Sequence, residues 1–175
     1  KAIKNARENG IKIYPEEVIP PYISPEKNAA ITLNKSFEIL EKLKKKYKKE
    51  FEYIIDIEKM EKIGNKEKGE IVNIFETNEF KEFFSLILKS IDIGNCRFDL
   101  DYEKGPEMLL PHLSKLRYIA RILNIRISVL IEEGRYEEAF ELFKKAIKLG
   151  DCLENEPILD SQLTCITIDT TIIKN

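Results

Sequence analysis

Apolar residues recur every three or four positions along most of this chain, and almost no proline interrupts them. That spacing lines up side chains on one face of a 3.6-residue helix, and the Pro-free stretches let such helices run long. Four of the seven prolines, Pro15, Pro20, Pro21 and Pro25, fall in the first stretch of chain. Residues 1–27 therefore read as an extended leader, apart from a short helical turn over 1–9, and 28–175 as a single all-α domain.

Within that domain, Ala30, Leu33, Phe37, Leu40, Leu43, Tyr47, Phe51 and Ile54 form one stripe. It predicts a single helix of about seven turns, starting near Ser24 or Asn28, with the basic run Lys42 to Lys49 near its negative dipole end. Residues 56–78 are less periodic; Ile71 to Phe75 suit a short helix better than a strand. Phe80, Phe83, Phe84, Ile87, Leu88 and Ile91 predict a helix stopped by Gly94. Pro106 or Pro111 then opens the longest element, which carries Leu109, Leu113, Leu116, Ala120, Leu123, Ile127 and Leu130. Gly134 suits its C-cap, where a left-handed backbone carries no Cβ penalty. A short connection leads to a helix over Tyr136 to Leu149, and short connections force neighbours to pack antiparallel. After Pro157, residues Ile158 to Ile172 predict a last helix. The β-branched run Thr164–Ile173 leaves a strand open there.

Hydrophobic residues make up 43% of the chain, enough for a sizeable core and too many for a disordered one. The net charge of −2 argues against a dedicated nucleic-acid binder, which needs a strongly basic face. The charge is uneven, with residues 1–50 basic and 51–100 acidic. Pairing between those halves is the simplest use of that pattern. No run of 18 apolar residues and no signal-peptide core occurs, so no membrane span is expected within the chain. The chain opens on Lys1 and closes on Asn175 directly after an apolar stretch. Both ends read as cut, with an anchor upstream and further repeats downstream as expectations.

Catalytic motifs are missing from the sequence. Neither GxSxG, nor a P-loop, nor GxGxxG is present, and a single histidine, His112, excludes HExxH zinc sites. His112 reads as a surface or interface side chain at a helix start. The loop Asp99, Asp101, Glu103 resembles a calcium loop in its alternating carboxylates. Its glycine, Gly105, falls one place late, and Leu110 stands where a bidentate glutamate belongs. A solvated acidic loop pairing with Arg97 or Arg117 is the expectation, with no catalytic residue, no metal site and no cofactor. Cys96, Cys152 and Cys165 lack the short spacing of a zinc or redox motif. They read as buried thiols, with one disulfide plus a spare thiol as the alternative in an oxidising compartment.

Residues 120–153 resemble one tetratricopeptide repeat, most clearly in EEGRYEEAFELFKKAIKLGD from Glu132 to Asp151. Gly134 matches the family's turn glycine and Tyr136 the aromatic after it; Ala139, Phe143 and Ala146 match its small-large-small pattern. Ile127 departs from the family's small residue in the first helix, and Asp151 from its closing proline. A wider resemblance covers SPEKNAA at 24–30, CRFDLDYEKGPEMLLPHLSKLR at 96–117 and ENEPILDSQL at 154–163. These segments are similar to uncharacterised bacterial proteins, in which the region follows a membrane anchor. That resemblance implies a location on the extracytoplasmic side of a bacterial membrane.

Helical-repeat pairs build concave surfaces that hold peptides, so a non-enzymatic protein-interaction scaffold is the expected function. Arg117, Arg121, Asn124 and Ser128 lie off the apolar stripe on neighbouring rows of one helix face. They are the expected partner-binding residues, suited to an acidic peptide, with no nucleic acid as partner. The alternative is a small-ligand or sensory domain with a pocket between leader and helices.

Overall fold

In a computed structural model the structure describes residues 9–10, 17–55 and 64–174. Residues 1–8 and 11–16 of the expected leader, and 56–63 of the least periodic stretch, lie outside the described residues. Among the described residues there are seven α-helices and no strand, so the all-α expectation holds. The helices are α1 (Ala29–Lys46), α2 (Lys48–Ile55), α3 (Asn65–Phe75), α4 (Asn78–Ile93), α5 (Pro111–Glu132), α6 (Tyr136–Ala146) and α7 (Leu159–Ile173). No helix among them is long and apolar enough to cross a membrane.

The first helix starts where a side chain can cap it. Asn28 accepts from the Ala30 N–H at 3.1 Å, satisfying one of the donors every helix start leaves free. Ser24 and Pro25 instead open a separate 3-10 turn, Pro25–Lys27. The expected seven-turn helix is interrupted at Tyr47, whose backbone leaves helical geometry at φ −112 and ψ 46. The interruption has a packing cause. Leu33, Phe37, Leu40 and Leu43 face α4, whereas α2 turns to reach α5 and buries Phe51 and Ile54.

Helix α4 packs along α1, and its Phe80 is the hub of an aromatic cluster. The rings of Tyr47, Phe51, Phe75, Phe83 and Phe84 lie 5.2–6.2 Å from it. Gly94 ends α4 at φ +76, a conformation that side chains with a Cβ resist. Helix α5 is the spine of the second half and touches α2, α6 and α7. Its end forms a Schellman turn: Arg135 N–H donates to Leu130 O at 2.8 Å and Gly134 N–H to Ile131 O at 3.0 Å. Gly134 sits at φ +74, as that turn requires. The short link then lays α6 back against α5, with Ala139 and Ala146 buried in the contact. Tyr136 stays 67% exposed and Phe140 59%, so neither fills the wedge between the two helices.

Helix α6 is shorter than its periodicity suggests. It closes at Ala146, and a 3-10 turn, Gly150–Leu153, carries the chain towards α7. The stretch left open between helix and strand is helical. Thr167 and Thr171 satisfy their hydroxyls on the carbonyls one turn back, at 2.8 and 2.7 Å. That local bonding lets threonine sit in a helix despite its stiff χ1. Charges of the basic first segment pair with the acidic middle, Lys46 with Glu79 and Lys49 with Glu70 at 3.2 Å.

Candidate functional site

The polar line along α5 points at α7. Arg117 donates to Thr164 Oγ1 at 3.1 Å and Arg121 to the Ile55 carbonyl at 2.7 Å. Asn124 donates to the Thr171 carbonyl, and Ser128 back to the Asn124 carbonyl at 3.2 Å. Of the four residues expected to hold a partner, Arg117 and Asn124 thus also fix α7 and Arg121 the end of α2, while the Ser128 bond stays within α5. Arg121, Asn124 and Ser128 lie together in one groove, while Arg117 lines a separate recess next to it.

The groove runs between α3, α5 and α7, with a cavity volume of about 550 Å³. Its apolar floor is Ile54, Ile71, Val72, Ile125 and Val129. Thr167, Thr170 and Thr171 form the wall opposite Arg121, and Lys68, Glu132 and Lys174 stand at the rim. Lys68 and Glu132 pair across it at 3.5 Å. The recess beside it is lined by Leu109, Leu163 and Arg117 among others, and Leu109 is 82% exposed.

Charge separates this groove from a third concavity, which lies between α4, α5 and α6. There Lys145 meets Asp92 at 2.8 Å and Arg126 meets Glu76 at 2.7 Å, so cations and carboxylates offset one another. The guanidinium beside Glu76 holds its carboxyl below the usual range. Arg117 and Arg121 have no carboxylate within ion-pair distance among the described residues. Arg121 is half-buried, which makes its charge less screened than one in open water.

His112 is not at the surface. It is 4% exposed, its ring stacks on Phe98 at 4.2 Å, and Phe98 stacks on Phe37 at 6.3 Å. Its Nε2 lies 3.0 Å from Glu156 Oε2, and Ser161 Oγ donates to that same oxygen at 2.6 Å. The serine is tied to the carboxylate rather than to the imidazole, so no nucleophile–base relay exists in this cluster. Both His112 and Glu156 are closed off from solvent. The group joins the start of α5 to the turn before α7.

In the acidic loop the expected pairing with Arg97 or Arg117 gives way to a local one, Asp101 with Lys104 at 3.0 Å. Among the described residues no group of three or more His, Cys, Asp or Glu side chains has the arrangement to hold a metal ion.

Sequence reasoning missed the far wall of the groove. Thr167 and Thr170 carry no motif, and Ile71 and Val72 read only as helix core. The His112–Glu156 pair was equally hidden, because its members are far apart in the chain. The chain matches no protein-family model, no curated protein and no solved structure.

Proposed function

We propose that this chain is a non-enzymatic protein-interaction scaffold of helical-repeat type, and that the α3–α5–α7 groove, together with the recess at Arg117 beside it, takes an acidic peptide segment of its partner. The observation that carries this reading is the contrast among its arginines. Arg126 and Arg135 are each neutralised by glutamates, at 2.7 Å for Arg126 and at 2.9 and 2.6 Å for Arg135. Arg117 and Arg121, one turn apart on the same helix, keep their charge uncompensated by any described carboxylate. A guanidinium fork suits carboxylates, and the apolar floor next to it supplies the buried contact that peptide recognition needs.

The resemblance of residues 120–153 to a tetratricopeptide unit points the same way, as does the Gly134 turn that folds α6 onto α5. The wider resemblance favours a location on the extracytoplasmic side of a bacterial membrane. A second reading, a small-ligand or sensory domain, draws support from the groove volume, since small-molecule sites span about 300–1,000 Å³.

A labelled peptide alternating Glu or Asp with Leu or Ile, titrated by fluorescence anisotropy, tests the proposal. Saturable binding is expected, weakening as salt rises and falling at least about tenfold when Arg117 and Arg121 are both changed to Glu. Binding indifferent to that charge reversal, or equal binding of a Lys-for-Glu peptide, would sink it. No peptide binding, together with a saturable thermal shift by a small carboxylate, would select the second reading.

A further inference from the structure

Helix α7 is apolar on two opposite faces. Ser161, Thr164, Ile168 and Ile172 are buried on the side that packs on α5. On the other side Leu159, Leu163, Ile166 and Ile173 are each more than half exposed, and among the described residues no other helix exposes more than two large apolar side chains. Asp160 and Asp169 are the only charged residues within α7. A helix with one packed face carries charge on the other, as α6 does with Glu137, Glu141 and Lys144. Helix α7 does not.

Its exposed apolar residues are not scattered. With Thr170 they fall at 159, 163, 166, 170 and 173, in alternating steps of four and three. That is the spacing of the a and d positions of a coiled coil, a narrow seam suited to a second helix. The acids on this helix disfavour an anionic lipid surface, which calls for lysines and arginines beside the apolar face. Thr170 brings a hydroxyl into the seam, but that hydroxyl already donates to the Ile166 carbonyl, so burial strands no donor.

Charge selects the partner and its direction. Asp160 stands at the start of the seam and Lys174 just past its end, both exposed and neither with an ion-pair partner among the described residues. The helical repeat puts the two on the same flank of the seam. In a two-fold pair of antiparallel helices centred on Ile166, Leu159 faces Ile173 of the second copy and Leu163 faces Thr170 of the second copy. The same operation brings Asp160 of each copy beside Lys174 of the other. Parallel pairing would set Asp160 on Asp160 and Lys174 on Lys174, with the helix dipoles pointing the same way.

We propose that α7 is the dimerisation helix of this chain: two copies pack antiparallel along Leu159, Leu163, Ile166, Thr170 and Ile173, with Asp160–Lys174 pairs at both ends. The seam is about 22 Å long. An interface one helix wide belongs to the small, transient class, so the dissociation constant is expected on the order of 10 μM. The seam lies on α7 alone and includes neither Arg117 nor Arg121, although Leu163 also borders the Arg117 recess.

Sedimentation equilibrium of the full chain without peptide, from about 1 to 300 μM, tests the proposal apart from the peptide reading. A reversible monomer–dimer equilibrium is expected. Ile166→Glu sets two carboxylates against each other on the two-fold axis and should weaken the dimer at least about thirtyfold. The helical circular dichroism should stay unchanged, because Ile166 is exposed in the monomer. Asp160→Lys and Lys174→Glu should each weaken the dimer about three- to tenfold at low salt, and the double variant should return to within about twofold of the original. A monomer at every concentration would overturn the proposal, as would a dimer indifferent to Ile166→Glu. A double variant no tighter than either single one would overturn the antiparallel pairing. If Ile166→Glu does not fold, the charge-exchange series decides by itself.

Discussion

The α1–α4 pair and the α5–α7 pair are both helix packings, yet they are built from opposite materials. Phe80 gathers aromatic rings from the α1–α2 junction, α2, α3 and α4, and Leu33, Phe37, Leu40 and Phe83 are almost wholly enclosed. Helix α7 meets α5 through Ser161, Thr164, Ile168 and Ile172, with Arg117 and Asn124 tying it down by hydrogen bonds. Its outer face leaves Leu159, Leu163, Ile166 and Ile173 between 52% and 73% exposed. An aromatic cluster contributes stability in proportion to buried area and tolerates no gaps, whereas hydrogen bonds contribute little net and mainly set geometry. The groove opens on the side of the molecule where packing is lighter and polar groups set the spacing.

The largest way to break the contrast is Phe80→Ala. It removes the hub of the cluster and should cost about 3–5 kcal/mol, read as a fall in the urea midpoint. A cost under about 1 kcal/mol would mean that the cluster repacks freely and is not the foundation described here.

Glu156→Ala comes next. It strips His112 and Ser161 of their shared acceptor inside the core, for an expected loss of about 2–3 kcal/mol in the same assay. Ser161→Ala should cost less, because the His112–Glu156 bond survives it. Equal losses for the two would contradict the central place given to the carboxylate.

The smallest effect sharpens the comparison at the edge of α7. Burial, then the neighbouring Asp151, raises the Asp169 carboxyl above its ordinary value. A carboxyl whose folded pKa is raised favours the fold more when protonated, so its ionised form at neutral pH opposes folding. Asp169→Asn should therefore raise Tm by about 1 °C at pH 7, the field being screened by solvent. The gain should fade as pH falls through about 4, where the unfolded carboxyl also takes up its proton. A gain that persists at pH 3 would point to something other than charge.

How much of this was legible follows from where each feature is encoded. The stop of α4 at Gly94 and the α5–α6 turn at Gly134 are local, written in periodicity and one residue's backbone freedom. The break at Tyr47 is not, because the stripe from Ala30 to Ile54 never falters; α2 turns for the sake of α5, which lies far along the chain. The helix at Thr164–Ile173 defied its β-branched composition through hydroxyls that bond one turn back. Arg121, Asn124 and Ser128 were readable as one face, whereas the groove they line depends on α3 and α7 arriving opposite. His112, the one histidine, looked like a surface group only because Glu156 is far from it in sequence.

Native-state hydrogen exchange, followed amide by amide, tests the two-region account most directly. Amides of α1 and α4 should exchange only through global unfolding, with a strong dependence on denaturant, while those of α7 should open earlier in a smaller, separate event. Equal protection and equal denaturant dependence across α1, α4 and α7 would contradict the account, and would make the molecule a single cooperative unit with no lighter side.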